Sequence, residues 1–404
     1  MTKEETKKII YKIFDYIDGT NEINKEQNRT FGHPALYFFH SKEELDKRVE
    51  EFLNSKDTFD RYDIYYFCNK MIKFLLGPTD SHTEVYMYGS VWLPIKLKTI
   101  DDKLYVVNIT DEFKEALYGE LISINGIDIE TIKRDFEEIV SYSTIEFLNI
   151  QTEQEMATPD VLRSLPCFDK KFSKLTYTFL KDGEKIDCIF DLNKEYPNLK
   201  DNRPKNYTYK LEGDTLVLVY NACNHAERMK QFIKEIKYIS RRENIDKFIV
   251  DLRGNGGGNS NIINPLIKFL RGKEIVTLID EGVFSSGSMA CIDLYNIGSY
   301  VIGTNIATSL SAFGNIDIIK IEDLKLEIDR STKYFKFDEN YRCQSFNRLN
   351  FADYFKSPEH FYSFDPMIIE PDKYVYKTLD DYKNNTDSQM EAAFKHLSKS
   401  KSIV

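Results

Sequence analysis

The chain has 404 residues, 42% of them apolar, with 26 tyrosines and 28 phenylalanines. This composition supports two or three folded domains and argues against long disordered stretches. The net charge of −10 argues against a nucleic-acid partner, because phosphates attract a basic surface.

No run of about 18 apolar residues is present, so we expect no membrane span. The first residues lack the apolar stretch of a signal peptide, and cytoplasmic localisation is therefore the expectation. The six cysteines are scattered without a CxxC pair, which predicts free thiols in place of disulfides or a zinc site. We expect no cofactor and no metal.

The first half of the chain divides into three predicted segments. Residues 1–76 have apolar side chains at helical spacing and are predicted to be an N-terminal helical region. Residues 77–145 combine a histidine-bearing loop with short strands and a helix, which indicates an α+β module. Residues 146–210 are predicted to be a connecting β region with a hairpin at Asp182-Gly183.

Residues 211–404 are predicted to form an α/β domain. Four apolar strands alternate with helices, and they are predicted near residues 215–220, 247–252, 275–279 and 300–302. Such alternation is typical of a mainly parallel sheet with flanking helices. Right-handed crossovers then bring the loops that follow these strands to one edge of the sheet, where sites form.

The loop after the second of these strands is rich in glycine and has the sequence DLRGNGGG at residues 251–258. Glycines leave backbone N–H groups uncovered beside a helix start, which favours an anion cradle or an oxyanion hole. A flexible turn is the alternative. The loop is neither the dinucleotide fingerprint, because Asn259 replaces the third glycine, nor a phosphate-binding P-loop.

The next loop is rich in serine and has the sequence FSSGS at residues 284–288. A serine on a sharp strand-to-helix turn is well placed to be a nucleophile, although serines also cap helices. No lysine lies between Lys273 and Lys320, so a lysine base shortly after the serine is not expected. Among six histidines, His82 stands out because it lies in a loop, within GPTDSHT at residues 77–83.

Four motifs together resemble peptidase family S41, the carboxyl-terminal-processing or tail-specific peptidases. They are the glycine loop, the serine loop, DSHT at residues 80–83 and EPD at residues 370–372, and the resemblance spans most of residues 77–390. It implies a crotonase-like ββα core with Ser285 as nucleophile. The implied oxyanion donors are the amides of Gly256 or Gly257 and of Ser286. It also implies that residues 92–140 form a reduced PDZ-like module, which could bind an extended peptide by strand addition.

Two positions depart from the family pattern and change the implied base. Ser288 stands where many members have an acidic residue, and Ser309 stands near the position of the lysine base. The chain therefore resembles the histidine-using branch, that of tricorn core proteases and the chlamydial protease-like factor. In that branch the base matches His82, with Ser81 assisting, and a late acidic residue, Asp365 or Glu370, orients the imidazole.

The resemblance implies a serine endopeptidase that cleaves unfolded or tail-exposed proteins through an acyl-enzyme. Two alternatives remain open. One is an α/β-hydrolase with Ser285, Asp365 and His396, although Val283 replaces the first glycine of its nucleophile motif. The other is a catalytically degenerate homologue that binds peptides or apolar ligands.

Overall fold

The computed structural model describes residues 1–20, 32–77, 79–199, 203–356 and 368–399. The chain divides into two compact units. Unit 1 comprises Met1–Leu199 and Ser311–Pro366, and unit 2 comprises Lys200–Leu310 and Met367–Val404. Within the described ranges, no helix combines the length and the apolar character needed to cross a membrane.

The described α-helices are numbered in chain order. They are α1 Lys3–Asp18, α2 Lys42–Asn54, α3 Arg61–Leu76, α4 Ile129–Glu137, α5 Ile145–Glu155, α6 Pro159–Ser164, α7 Ala226–Glu243, α8 Asn264–Leu270, α9 Ser286–Tyr295, α10 Arg348–Phe355, α11 Leu379–Asn384 and α12 Ser388–Lys399. Short 3₁₀ turns lie at Asp111–Ala116, Ser260–Ile263 and Glu322–Leu324.

The described strands are numbered in the same way. They are β1 Glu84–Met87, β2 Ile95–Ile100, β3 Lys103–Ile109, β4 Glu120–Ile124, β5 Ile127–Asp128, β6 Lys174–Lys181, β7 Glu184–Asp191, β8 Tyr209–Glu212, β9 Thr215–Val219, β10 Lys247–Asp251, β11 Glu274–Ile279, β12 Tyr300–Gly303, β13 Ala312–Ile321, β14 Leu326–Phe337, β15 Cys343–Phe346 and β16 Lys373–Tyr374.

Unit 1 begins with three capped helices whose apolar faces join one core. Capping boxes start α1 at Thr2, α2 at Ser41 and α3 at Asp60, each with an acidic residue three positions later. Each side chain satisfies amide donors that the first helical turn leaves without an acceptor. Gly77 is the C-cap residue of α3, which ends where the predicted helical region ends.

Two antiparallel sheets complete unit 1. One has the strand order β2-β3-β4-β6-β7, and its β6–β7 hairpin turns at the predicted Asp182-Gly183. The other has the order β1-β14-β13, with β15 also paired to β14. Its β1 follows the histidine loop directly and pairs with β14, which lies more than 240 residues later in the chain.

Unit 2 contains the predicted parallel sheet, in the order β16-β12-β11-β10-β9-β8. Only β8 runs antiparallel to its neighbour. The prediction of a mainly parallel sheet is therefore correct for unit 2 and wrong for the whole chain, because both sheets of unit 1 are antiparallel. Parallel strands are buried on both faces and read as continuous apolar runs, whereas the half-exposed strands of unit 1 give weaker patterns.

The four-segment division predicted from the sequence remains a prediction. The compact units add one fact to it, since residues 311–366 share a unit with the N-terminal half of the chain. Strands β2 to β5 and helix α4 lie in the region predicted as PDZ-like, whereas β6 and β7 of the same sheet lie in the predicted connecting region.

Candidate active site

The predicted nucleophile lies on a strained turn between β11 and α9. Ser285 caps the N-terminus of α9 with φ 53° and ψ −124°, a backbone conformation that costs energy for a residue with a side chain. Its N–H donates to Thr308 Oγ1 at 3.2 Å, and its side chain is partly exposed. A sharp, strained strand-to-helix turn is the conformation in which hydrolases present a nucleophilic serine.

The neighbouring serine has a different role. Ser286 is buried, and its Oγ donates to the carbonyl oxygen of Gly258 at 2.8 Å. As the first residue of α9, it also has an N–H that no carbonyl of its own helix can accept. Ser286 is therefore better suited to present an amide donor than a nucleophilic hydroxyl, which favours Ser285 of the two.

The glycine loop after β10 packs directly against the serine loop. A methyl group added to Gly257 would lie 2.8 Å from Ser285 Cβ and 2.9 Å from Ser286 N, so no side chain fits there. Gly257 also has φ 103°, which favours glycine. Gly256 faces open space by the same measure. The two candidate oxyanion glycines thus differ in their tolerance of a side chain.

A buried asparagine that the sequence did not single out joins the two loops. Asn255 Nδ2 donates to the carbonyl oxygen of Tyr220 at 2.8 Å, and its Oδ1 accepts the Gly257 N–H at 3.0 Å. Its backbone oxygen accepts the Phe284 N–H at 2.9 Å. The loops are therefore held together by hydrogen bonds as well as by close packing.

A carboxylate ties the same loops a second time. Asp280 Oδ1 accepts the amides of Gly254 at 2.8 Å and Gly282 at 2.9 Å, one from each loop. The signal that could have identified Asp280 and Asn255 is their position, since both follow closely on the carboxyl ends of neighbouring parallel strands.

Two other predicted residues of unit 2 lie at the opposite end of its parallel strands. Glu370 precedes β16, whose Lys373 pairs with Ile302, so it lies near the amino end of β12 and is exposed. His396 stacks on Tyr300, the first residue of β12, with ring centroids 3.8 Å apart. Ser285 instead follows the carboxyl end of β11. This arrangement argues against the α/β-hydrolase alternative, and Asp365 lies outside the described residues.

The predicted base lies in unit 1, in the loop between α3 and β1. His82 is 5% exposed, and its backbone N–H donates to Asp80 Oδ1 at 2.9 Å. Strand β14 holds the same loop, because the Ser331 N–H donates to Thr83 Oγ1 at 2.9 Å and the Ser331 hydroxyl donates to Asp80 Oδ1 at 3.2 Å. Ser81 is also buried in this loop.

A second histidine, which the sequence did not indicate, lies behind the loop. His33 is fully buried, and its Nε2 is 2.8 Å from Asp80 Oδ2. The Ala35 N–H points to His33 Nδ1 at 3.1 Å. The loop that carries His82 is thus built around a carboxylate with hydrogen-bond donors from three parts of unit 1.

Burial shifts the pKa values of these three groups. It lowers the pKa of His82, and the negative charge of Asp80 opposes that shift in part. It lowers the pKa of His33 in the same way. Burial alone would raise the pKa of Asp80, but the hydrogen bond from His33 and the neighbouring histidines hold it below its ordinary value. The loop therefore contains a buried carboxylate anion beside histidines that favour the neutral form.

Within the part of the chain that the structure describes, no group of three or more histidine, cysteine, aspartate or glutamate side chains could hold a metal ion.

Residues 214–283 match the sequence profile of peptidase family S41. No curated protein is detectably similar in sequence.

Among solved structures, mature CPAF has a TM-score of 0.60 at 11% identity, over 87% of this chain and 90% of that chain. Mature CPAF complexed with lactacystin also has a TM-score of 0.60 at 11% identity, over 93% and 96% of the two chains. At this identity the likeness concerns the fold. The match to family S41 covers residues 214–283, and beyond this segment the likeness to mature CPAF is one of fold.

Proposed function

We propose that this chain is a serine endopeptidase in which Ser285 forms the acyl-enzyme. The observation that carries the proposal is the strained turn at Ser285, with φ 53° and ψ −124° at the start of α9. Strain of this kind persists where the surroundings enforce it, and such positions cluster at active sites. The fixed glycine loop beside Ser285 and Ser286 supports the same assignment.

In the proposed reaction, His82 accepts the hydroxyl proton of Ser285 as Oγ bonds to the scissile carbonyl carbon. The tetrahedral oxyanion collapses, the C–N bond breaks, and the amine departs with the proton from His82. Water then attacks the acyl-enzyme with His82 again as base, which releases the acid and restores Ser285. Every proton taken up by His82 is returned within the cycle.

The proposed oxyanion donors are the Ser286 N–H and the amides of the glycine loop at Gly256 and Gly257. The Ser286 N–H has no acceptor in its own helix. The Gly257 N–H already donates to Asn255 Oδ1, so its use on an oxyanion requires sharing it between two acceptors. Donors fixed before the reaction stabilise the transition state without reorganisation.

The residue proposed to orient His82 is an acidic residue late in the chain. Asp365 remains the candidate from the family resemblance, since Glu370 precedes β16 at the far end of the strands from Ser285. Ser81 is proposed to assist from within the histidine loop. The Asp80 carboxylate also places a negative charge near His82, because it accepts the His82 backbone N–H.

The proposed substrates are unfolded or tail-exposed polypeptides. The sheet of unit 1 with the order β2-β3-β4-β6-β7 ends in the edge strands β2 and β7, and an extended peptide can pair with such an edge. The PDZ-like role of residues 92–140 belongs to this proposal.

A fluorophosphonate probe tests the nucleophile directly. Wild-type protein should be labelled, and Ser285→Ala should lose labelling and hydrolysis of a denatured protein by at least about a thousand-fold. The matched control is Ser286→Ala, which loses one hydrogen bond to Gly258, worth about 1 kcal/mol, and should still be labelled. Labelling that survives in Ser285→Ala but not in Ser286→Ala would contradict the assignment.

A catalytically degenerate binding protein is the second candidate. It is favoured by Ser288 and Ser309, two buried hydroxyls at positions where the family resemblance implies an acidic residue and a lysine. A folded wild-type protein that takes up no probe and yet binds an unfolded polypeptide would support this alternative. Lactacystin, with which mature CPAF has been complexed, offers a second probe for the same comparison.

A further inference from the structure

His33 has both ring nitrogens engaged in the interior of unit 1. It follows α1 in the segment GHPA at residues 32–35, and no part of it is exposed. Its ring centroid lies 4.7 Å from that of Phe313 on β13. One nitrogen meets a backbone donor at Ala35, and the other meets the carboxylate of Asp80.

These two contacts define the tautomer of His33. The Ala35 N–H points to Nδ1, so Nδ1 must carry a lone pair, and the single ring proton must lie on Nε2. Nε2–H then donates to Asp80 Oδ2. His33 is therefore neutral, and the hydrogen bond to Asp80 joins a neutral donor to an anion.

Asp80 needs such donors because it is completely buried. A carboxylate without hydrogen bonds in the interior would cost several kcal/mol or would take up a proton. Its donors come from different segments: His33 after α1, Ser331 on β14, and the backbone of His82 itself. The same carboxylate thus fixes the main chain at His82 and places a negative charge beside it.

We propose that His33 is a positioning residue for the catalytic base: it holds Asp80 as an anion, and Asp80 in turn holds His82 in place. This inference rests on the proposed function, in which His82 is the base. His33 itself takes no part in proton transfer, because both of its nitrogens are committed.

The charges that face these groups support a fixed neutral His33. Burial, together with Arg330 on β14 and Arg348 on α10, opposes a positive charge on His33, whereas Asp80 favours one. Asp80 faces His33 and His82, and Glu84 on β1 lies near enough to be affected by the Asp80 charge. The negative charge of Asp80 acts on His82 in the direction opposite to burial.

Variants of this network should move the pH profile of probe labelling. Loss of the Asp80 charge lowers the pKa of His82, so Asp80→Asn should shift the midpoint downward by about one pH unit and reduce the plateau rate. His33→Phe keeps the ring contact with Phe313 but removes both hydrogen bonds, and it should shift the midpoint in the same direction. His33→Gln can still donate to Asp80 and should recover part of the wild-type profile.

The matched control is His40→Phe. His40 lies at the surface of the same unit, near Glu44 and stacked on Phe74, so its replacement should leave the midpoint unchanged. If His33 only fills space, His33→Phe and His33→Gln will change the melting temperature without moving the midpoint. A wild-type midpoint in folded His33→Phe and Asp80→Asn would overturn the inference.

Nitrogen-15 NMR of labelled histidines in the wild-type protein gives a test that needs no variant. His33 should remain neutral from about pH 5 to 9 with its proton on Nε2, and a His33 that is protonated at pH 7 or carries its proton on Nδ1 overturns the inference. The His82 titration can also be followed in the variants without activity. If Ser285 takes up no probe but the His82 titration still shifts, the proposed function fails while the positioning role stands.

Discussion

The serine loop and the histidine loop are held in place by different kinds of interaction. In unit 2, Ser285 and Gly257 are fixed by backbone conformation and by packing too close for a side chain. In unit 1, His82 is fixed by the side chains of Asp80 and Ser331 around a buried charge. The serine loop thus depends on close backbone packing in addition to its hydrogen bonds, whereas the histidine loop depends on a buried charge, so the two should respond differently to mutation and to pH.

The largest expected effect lies in the glycine loop. Gly257→Ala would bring a methyl group within 2.8 Å of Ser285 Cβ and 2.9 Å of Ser286 N, which must displace the serine loop. We expect the probe-labelling rate to fall by roughly ten- to a thousand-fold, as for loss of an oxyanion donor.

The control for this variant is Gly256→Ala, whose methyl group would meet open space. It should retain most of the labelling rate and a nearly unchanged melting temperature. If Gly257→Ala is folded and labelled at the wild-type rate, the glycine loop is not part of the active site, and the assignment of Ser285 weakens with it.

The histidine loop should determine how the probe-labelling rate depends on pH. Burial lowers the pKa of His82 from its ordinary value of 6.5, and the base must be neutral to act. The labelling rate should therefore rise with pH to a plateau, with a midpoint below 6.5, and fall about ten-fold for each pH unit below that midpoint. The second-order labelling rate measured from pH 4.5 to 8.5 tests this. A midpoint well above 7 would exclude His82 as the base.

A smaller effect concerns the strand that follows the histidine loop. Burial raises the pKa of Glu84 to about 8, and Glu84 pairs across the strands with Asp329, whose pKa burial raises to about 7. Between pH 4.5 and about 8 the folded state thus binds more protons at Glu84 than the unfolded state does, and stability falls as pH rises.

Glu84→Gln removes the free-energy cost of ionising a buried carboxyl group while keeping an acceptor for the Tyr86 hydroxyl. The melting temperature should rise by a few °C, on the order of 1 kcal/mol of stability, at pH 8 and change little at pH 5. Thermal unfolding at the two pH values is the measurement. Equal changes in melting temperature at both pH values would show that Glu84 is ionised in the folded protein.

The parts of unit 2 that the sequence predicted are those that depend on local pattern. Strands β9 to β12 are continuous apolar runs, and the glycine and serine loops follow two of them, so their common edge follows from topology alone. The position of Glu370 depended instead on the register of β16 against β12. No local pattern in the sequence specifies the register of a two-residue strand.

His33 could not be predicted for a related reason. It lies 47 residues before Asp80, and a single histidine between Gly32 and Pro34 resembles an ordinary loop residue. Its role arises only when α1, the histidine loop and β14 meet in the core of unit 1. The sheet of β1, β13 and β14 was not predicted, because the pairing of β1 with β14 joins segments that are distant in the chain, whereas the β6–β7 hairpin was predicted from its turn residues.

The pairing of Thr83 with Ser331 has a consequence for biosynthesis. The two residues are 248 positions apart, which is roughly 10 to 50 s of translation at about 5 to 20 residues per second. During that interval the histidine loop on a nascent chain lacks the strand that closes it. The proposed base would therefore be set in place only late in synthesis, which would delay any proteolytic activity until most of the chain has left the ribosome.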